Sequence, residues 1–440
     1  MSKSDIKIFL SYHKDGVVLK SDIMTPIHVG AALNKTTLNM QRDDEGINIS
    51  HKNAKFCELT AQYWVWKNVE ADYYGFMHYR RHFAFKDIPW LPDDGGLIHY
   101  PAISSDYINE IGLNDDDIRK CVEGSDIIVT PVVDTASWGA PTNEIQFSCL
   151  NNLHAVDFDL VCNVVCQLYP EYSEAVEEYR QGHHTYWYNM FIMKKELFYA
   201  YCEWLFTIME EADKHIDYAG YDAAEMRTLA FMAERLFSIY MIKLKKEQPE
   251  LVIKHLKMSF VHNTDVIEEV KPKNTKVATV NRIDDATYNI EYLTKPIKRA
   301  YKELASIHRE KEVESILRKE LNEAMERIQN KRIYFYGAGQ CCRELLMWYK
   351  ELNWDMPEVI WDRAAVEDDQ LYGVSVVSPK FADLAVEGDI VFVIAIAHRE
   401  IAKQVRNQIR EYSDCVIIDK REMIRIVGCE YWLRMCGEEK

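Results

Sequence analysis

The residues His78-Tyr79-Arg80-Arg81 stand where an aromatic-rich apolar run, YYGFM, gives way to charge. Such a run reads as a strand, and ligands of α/β sheets gather at the carboxyl ends of strands. A histidine and two arginines there suit anionic oxygens, because a guanidinium is a planar fork of donors matched to phosphate. Neighbouring strand residues face opposite sides, so Arg80 and Arg81 are not expected to reach the same ligand. Other polar groups could converge on this strand end. Tyr12, His13 and Lys14 close the first strand, and Asn48, Ser50 and Asn53 lie near a helix start, where free N–H groups favour anions. Glu58 follows one turn into that helix, on either a solvated or a functional face. His183 and His184 precede the strand bearing Asn189, as structural residues or as site residues. Asp222, Glu225 and Glu234 accompany Arg227 and Arg235 along one helical stretch. Helical salt bridges account for them, or one carboxylate serves as a general base.

These residues need elements to carry them. IKIFLSYHK opens the chain as a strand, and NAKFCELTAQYWVWKN reads as one amphipathic helix, with Asn48 or Ser50 as its cap. DIIVTPVV, YNMFIMKK and LKMSFVHNT are later strands, and ELFYAYCEWLFTIMEE and EMRTLAFMAERLFSIYMIKL are helices. Strands alternating with helices give an α/β layered sheet over residues 1–275. Residues 276–330 alternate basic and acidic side chains and read as a solvated helical connector. Lys295, Lys298, Arg299 and Lys302 in it could touch anionic lipid.

From 331 to 440 a second pattern begins. KRIYFYGAGQCCRELL is strand, glycine turn and helix, a Rossmann-like start in which Gly337 and Gly339 fit the tight turn and the close backbone approach. Cys342 replaces the third glycine of the dinucleotide fingerprint. Asp362 lies where an acidic residue meets a ribose hydroxyl. Nucleotide binding and a degenerate fold used for packing or dimerisation are both open.

The net charge of −17 argues against general nucleic-acid binding. No apolar run approaches the ~20 residues needed to cross a bilayer, and the N-terminus lacks a signal peptide's apolar core. A cytoplasmic protein is expected, with peripheral contact at the inner membrane face left open. The eleven cysteines form no CxxC pair, so reduced, buried thiols are expected.

The segments IFLSYHK, PIHVGAALN, GINISHKNAKFCELTAQYWVWKN, YYGFMHYRRHF and NMFIMKKELFYAYCEWLF resemble a bacterial glycosyltransferase family of capsule and O-antigen gene clusters. That family was long labelled a domain of unknown function and includes galactofuranosyltransferases. The resemblance covers about residues 5–265 and implies a GT-A-like domain that moves a sugar from a nucleotide-sugar, a UDP-sugar above all, to a lipid-linked oligosaccharide. In the wider GT-A architecture a strand ends in Asp-x-Asp, which holds a divalent metal against the donor diphosphate. Here His78-Tyr79-Arg80 stands in that place, which implies that Arg80 or Arg81 supplies the charge. No metal ligand is assigned and no cofactor is firmly expected, though a divalent metal stays open. Asn189 would fall on the acceptor-side strand, and His262 would match a late loop residue approaching the diphosphate. The C-terminal segment is similar to the nucleotide-sugar-binding domain of sugar acyltransferases. A nucleotide-sugar-binding scaffold, or a sugar-modifying protein acting through that domain, is the alternative. The sequence leaves donor sugar, linkage and homo-oligomerisation open.

Overall fold

Residues Ile6–Tyr12 form β1, around which the first sheet is laid. Ile6, Ile8, Leu10 and Tyr12 enter one core cluster. Phe9 turns to the other face, against Trp64 and Phe76. A strand covered on both faces needs apolar residues throughout, hence the unbroken run IFL. The strands that follow are β2 (Met24–His28), β3 (Gln41–Arg42), β4 (Tyr73–His78), β5 (Arg81–Phe83), β6 (Leu97–Ala102), β7 (Ile127–Val129), β8 (Val133–Asp134), β9 (His184–Thr185), β10 (Phe191–Lys194), β11 (Ile253–His255) and β12 (Met258–Asn263). The sheet order is β11-β7-β10-β4-β1-β2-β3, with β12 joined to β5 and β6. β10 runs antiparallel to both its neighbours, β4 and β7, whereas β4, β1, β2 and β3 run parallel. Gly75 lets β4 sit close between these strands: a Cβ there would stand 2.9 Å from side chains of both Ile8 and Ile192.

The computed structural model describes residues 3–93, 95–138, 140–149, 153–265, 291–381, 389–396 and 399–438. Two compact units result: Met1–Asp134 with Asn152–Asn274, and Thr135–Asn151 with Thr275–Lys440. The boundary expected at 275–276 lies outside the described residues.

In the first unit, helices cover both faces of the sheet. Phe76 and Phe191 pack against Phe198 of the helix Lys195–Asp213, and Phe191 against Phe237 of the helix Thr228–Glu247. On the opposite face Tyr107, Ile111, Ile118 and Val122, from the helices Ser105–Ile111 and Asp115–Val122, join the β1 cluster. This is the α/β class expected.

The second unit has strands β13 (Arg332–Tyr336), β14 (Val359–Trp361), β15 (Gln370–Leu371), β16 (Val374–Val377), β17 (Ile390–Ile394) and β18 (Val416–Asp419). Their order is β15-β16-β14-β13-β17-β18, parallel except for the β15–β16 edge. From β16 to β18 this is the doubly wound order, whose switch point lies between β13 and β17. The helices Glu291–Ser306 and Glu310–Ile328 belong to this unit and are not a solvated connector. Val313, Leu317, Leu321, Ala324 and Ile328 recur at helical spacing and are buried. The dense charges of the opposite face concealed this stripe. Arg299 reaches Glu303 (3.6 Å), and Lys298 stands 6.0 Å over the Tyr431 ring, so both have partners inside the unit.

Candidate functional site

β4 ends at His78, and Tyr79-Arg80 form the tight turn that returns the chain as β5. His78 pairs with Arg81 across the hairpin. A turn does not alternate as a strand does, so the expectation that the two arginines diverge is overturned. Both guanidiniums lie over the ring of Phe260 on β12, at 4.8 Å (Arg80) and 5.2 Å (Arg81). Arg80 also covers Tyr79, and Arg81 covers Tyr188, 4.9 Å from its ring centre. Aromatic faces hold a guanidinium without neutralising it. Among the described residues no carboxylate comes within ion-pair distance of either arginine, and each Nε is buried without a partner.

Opposite lies a break that the periodicity hid. The helix expected over 53–68 stops at Phe56, and Cys57 takes a left-handed φ of +47°. Glu58 thus becomes the residue before a second helix, Leu59–Asn68, instead of lying one turn inside a longer one. Tyr188 (φ +81°) and Asn189 (φ +49°) are left-handed as well. Non-glycine residues held there store strain, which concentrates at functional sites. This strain is held by bonds. Glu58 Oε1 accepts from Asn189 Nδ2 at 2.8 Å, His78 Nε2 donates to the Tyr188 carbonyl at 2.7 Å, and the Tyr188 N–H donates to Glu234 Oε1 at 2.9 Å. Glu234 Oε2 accepts from Arg235 at 2.6 Å. Asn189 Oδ1 is buried without a donor, and Glu58 Oε2 has no partner among the described residues.

Burial raises the Glu234 carboxyl above the ordinary range, with Arg235 opposing and Glu58 adding to the rise. Burial lowers His78 against the pull of Glu58. His13 is lowered by burial and then by Lys14, Arg80 and Arg227. Arg227, expected in a helical salt bridge, donates to Cys57 Sγ at 3.2 Å and so belongs to this cationic rim. Its distance along the chain from the hairpin gave no signal.

Other expected residues find partners within the first unit. The Tyr12 hydroxyl is tied to Val17 and Leu19. Asn48 bonds the backbone of Asp44, Gly46 and Ser50, Ser50 bonds Asp43, and Asn53 bonds Cys57 and Thr60. Asp222 and Glu225 cap one another, with Asp222 Oδ1 accepting the Glu225 N–H at 2.9 Å and Glu225 Oε2 accepting the Asp222 N–H at 2.8 Å. Glu225 also pairs with His154. Lys14 reaches the exposed Asp265 and also stands 5.7 Å over the Tyr79 ring, beside the hairpin. His262 lies against Phe260 and bonds His99, which is held by Asp93 at 2.7 Å.

In the second unit Gly337 has φ +96°, and a Cβ there would meet Ile396 at 2.8 Å. Gly339 faces open space. Asp362 binds the turn through Oδ2, which accepts the Ala338 N–H at 2.7 Å, and its own loop through Oδ1, which accepts the Ala364 N–H at 2.8 Å.

Residues 7–247, more than half of the chain's length, match the family described as Domain of unknown function (DUF4422), and the chain belongs to that family. Among solved structures it is similar to the apo structure of WbbM, a bifunctional glycosyltransferase, at 27% identity and a TM-score of 0.58. That likeness covers 94% of this chain and 59% of WbbM, so the chain spans about three fifths of that relative. It agrees with a GT-A-like domain accompanied by a smaller one. No curated protein matches the chain. No described helix is long and apolar enough to cross a membrane.

Proposed function

We propose that this chain is a glycosyltransferase that moves a sugar from a nucleotide-diphosphate donor, a UDP-hexose such as UDP-galactofuranose, to a hydroxyl of a lipid-linked surface polysaccharide. One observation carries the reading: two adjacent arginines at a strand's carboxyl end, stacked on one ring and unpaired by any described carboxylate. Such a pair is preorganised for the charge that develops on a departing diphosphate. The likeness to WbbM supports the reaction class.

In the reaction, the acceptor oxygen bonds the anomeric carbon as the bond to the diphosphate oxygen breaks. Arg80 and Arg81 meet the leaving charge. In an inverting reaction the acceptor proton passes to a carboxylate. Glu58 fits best, because Asn189 orients one of its oxygens and leaves the other open, whereas both oxygens of Glu234 are engaged. A divalent cation needs oxygen ligands. The strand end offers guanidiniums where such ligands would stand, and in this reading they meet the diphosphate charge in place of a metal. We place the reaction in the cytoplasm, at the inner face of the membrane.

The test is transfer from a panel of UDP-sugars with and without EDTA. Turnover that survives EDTA and falls roughly 10²–10³-fold in Arg81→Ala agrees with the reading. Turnover unchanged in both Arg80→Ala and Arg81→Ala overturns it.

A further inference from the structure

β8 and β9 form a short antiparallel ribbon away from the main sheet, with Asp134 opposite His184. His183 precedes the first residue of β9, so strand alternation does not part the two histidines. Their ring centres lie 4.1 Å apart. His183 Nδ1 is 2.9 Å from Asp134 Oδ1. Donor atoms of Asp134, His183 and His184 all lie within 4.8 Å of one another.

We infer that Asp134, His183 and His184 bind a divalent ion of the zinc class, at a site separate from the arginine hairpin. Two imidazoles and one carboxylate are a borderline donor set. They suit zinc and its transition-metal neighbours, whereas magnesium and calcium favour all-oxygen cages. Three protein ligands leave a coordination position to water. The ion would bridge β8 and β9 across their ladder, which has only two residue pairs of its own. β9 leads directly into the strained pair of the donor site: the Thr185 hydroxyl bonds Tyr179 and Ser238, and Tyr188 and Asn189 follow. An ion at His183 and His184 therefore steadies the approach to that segment without touching the diphosphate.

The test uses the full chain, free of any polyhistidine tag, stripped by chelator and titrated calorimetrically with zinc chloride. The wild type takes one equivalent, and its melting temperature rises with zinc. His184→Ala and Asp134→Asn alter exposed side chains. Each binds at least tenfold more weakly and loses the zinc-dependent rise, while its metal-free melting temperature stays that of the wild type. Arg80→Ala binds zinc as the wild type does, which separates this site from the proposed donor site. Absence of stoichiometric binding in the wild type overturns the inference. Binding undiminished in both ligand variants also overturns it, since other histidines would then be the ligands.

Discussion

Two turns at the carboxyl ends of parallel strands invite comparison, the His78–Arg81 hairpin after β4 and the Gly337–Gly339 turn after β13. The glycine turn has the more familiar pattern, yet its acidic partner Asp362 has both oxygens on backbone N–H groups, one in the turn and one in its own loop. The hairpin matches no phosphate motif. It nevertheless gathers two arginines without a described acidic partner, a carboxylate with an open oxygen, an amide oxygen with no donor and three left-handed residues. Polar groups whose bonds are complete within the fold stabilise it. Groups held in place with bonding capacity left over are equipped to meet a ligand.

The comparison can be broken from either side. The largest effect is expected of Glu58→Gln, which keeps the oxygen that Asn189 binds but removes the base. Turnover should fall roughly 10²–10⁴-fold with little change in donor binding, measured by single-turnover transfer and donor titration. Phe260→Ala removes the ring under both arginines and should raise the KM for the donor about tenfold. Asp362→Ala should leave turnover unchanged and cost about 1–2 kcal/mol in the second unit, read by denaturant unfolding. Should Asp362→Ala abolish transfer as Glu58→Gln does, the contrast between the turns fails.

A smaller, global effect comes from histidines of the first unit. Burial pushes His82 down to about 3 and lowers His78 and His28 as well. Their unfolded values lie near ~6.5, so below that pH the unfolded chain takes up protons first. Their contribution is fully present above about 6.5 and is lost as pH falls toward the folded values. Melting temperature should decline over that window, and His82→Asn should flatten the decline.

The segment Thr135–Asn151 also shapes how the units are tested. It belongs to the second unit, where Phe147 is buried and Glu144 pairs with Arg309 at 2.9 Å. A cut at residue 330 keeps that ion pair but removes the sheet of the unit and the helix Lys420–Glu438, which packs against the start of this segment. Point variants therefore separate the two turns better than truncation does.

The sequence by itself determined the strands and most helices, because an apolar run such as IFL or a 3.6-residue stripe records burial directly. It marked the hairpin as a cationic strand end and placed Glu58, His78 and Asn189 among the candidates. Local pattern could not show that Arg80 lies in a turn, because turn and strand differ there by one hydrogen-bonded pair. Nor could it show the break at Cys57, where the left-handed residue is bonded through its thiol by Arg227 and the adjoining Glu58 by Asn189, both distant in the chain. Asp222, Glu225 and Asp362 had suitable chemistry, but whether their oxygens face a ligand or nearby N–H groups is settled by contacts of a few ångströms. Arg227 joined the site only because the chain folds back on itself. Residue type limits the chemistry available at a position. Only tertiary structure decides which of those groups keep bonding capacity for a ligand.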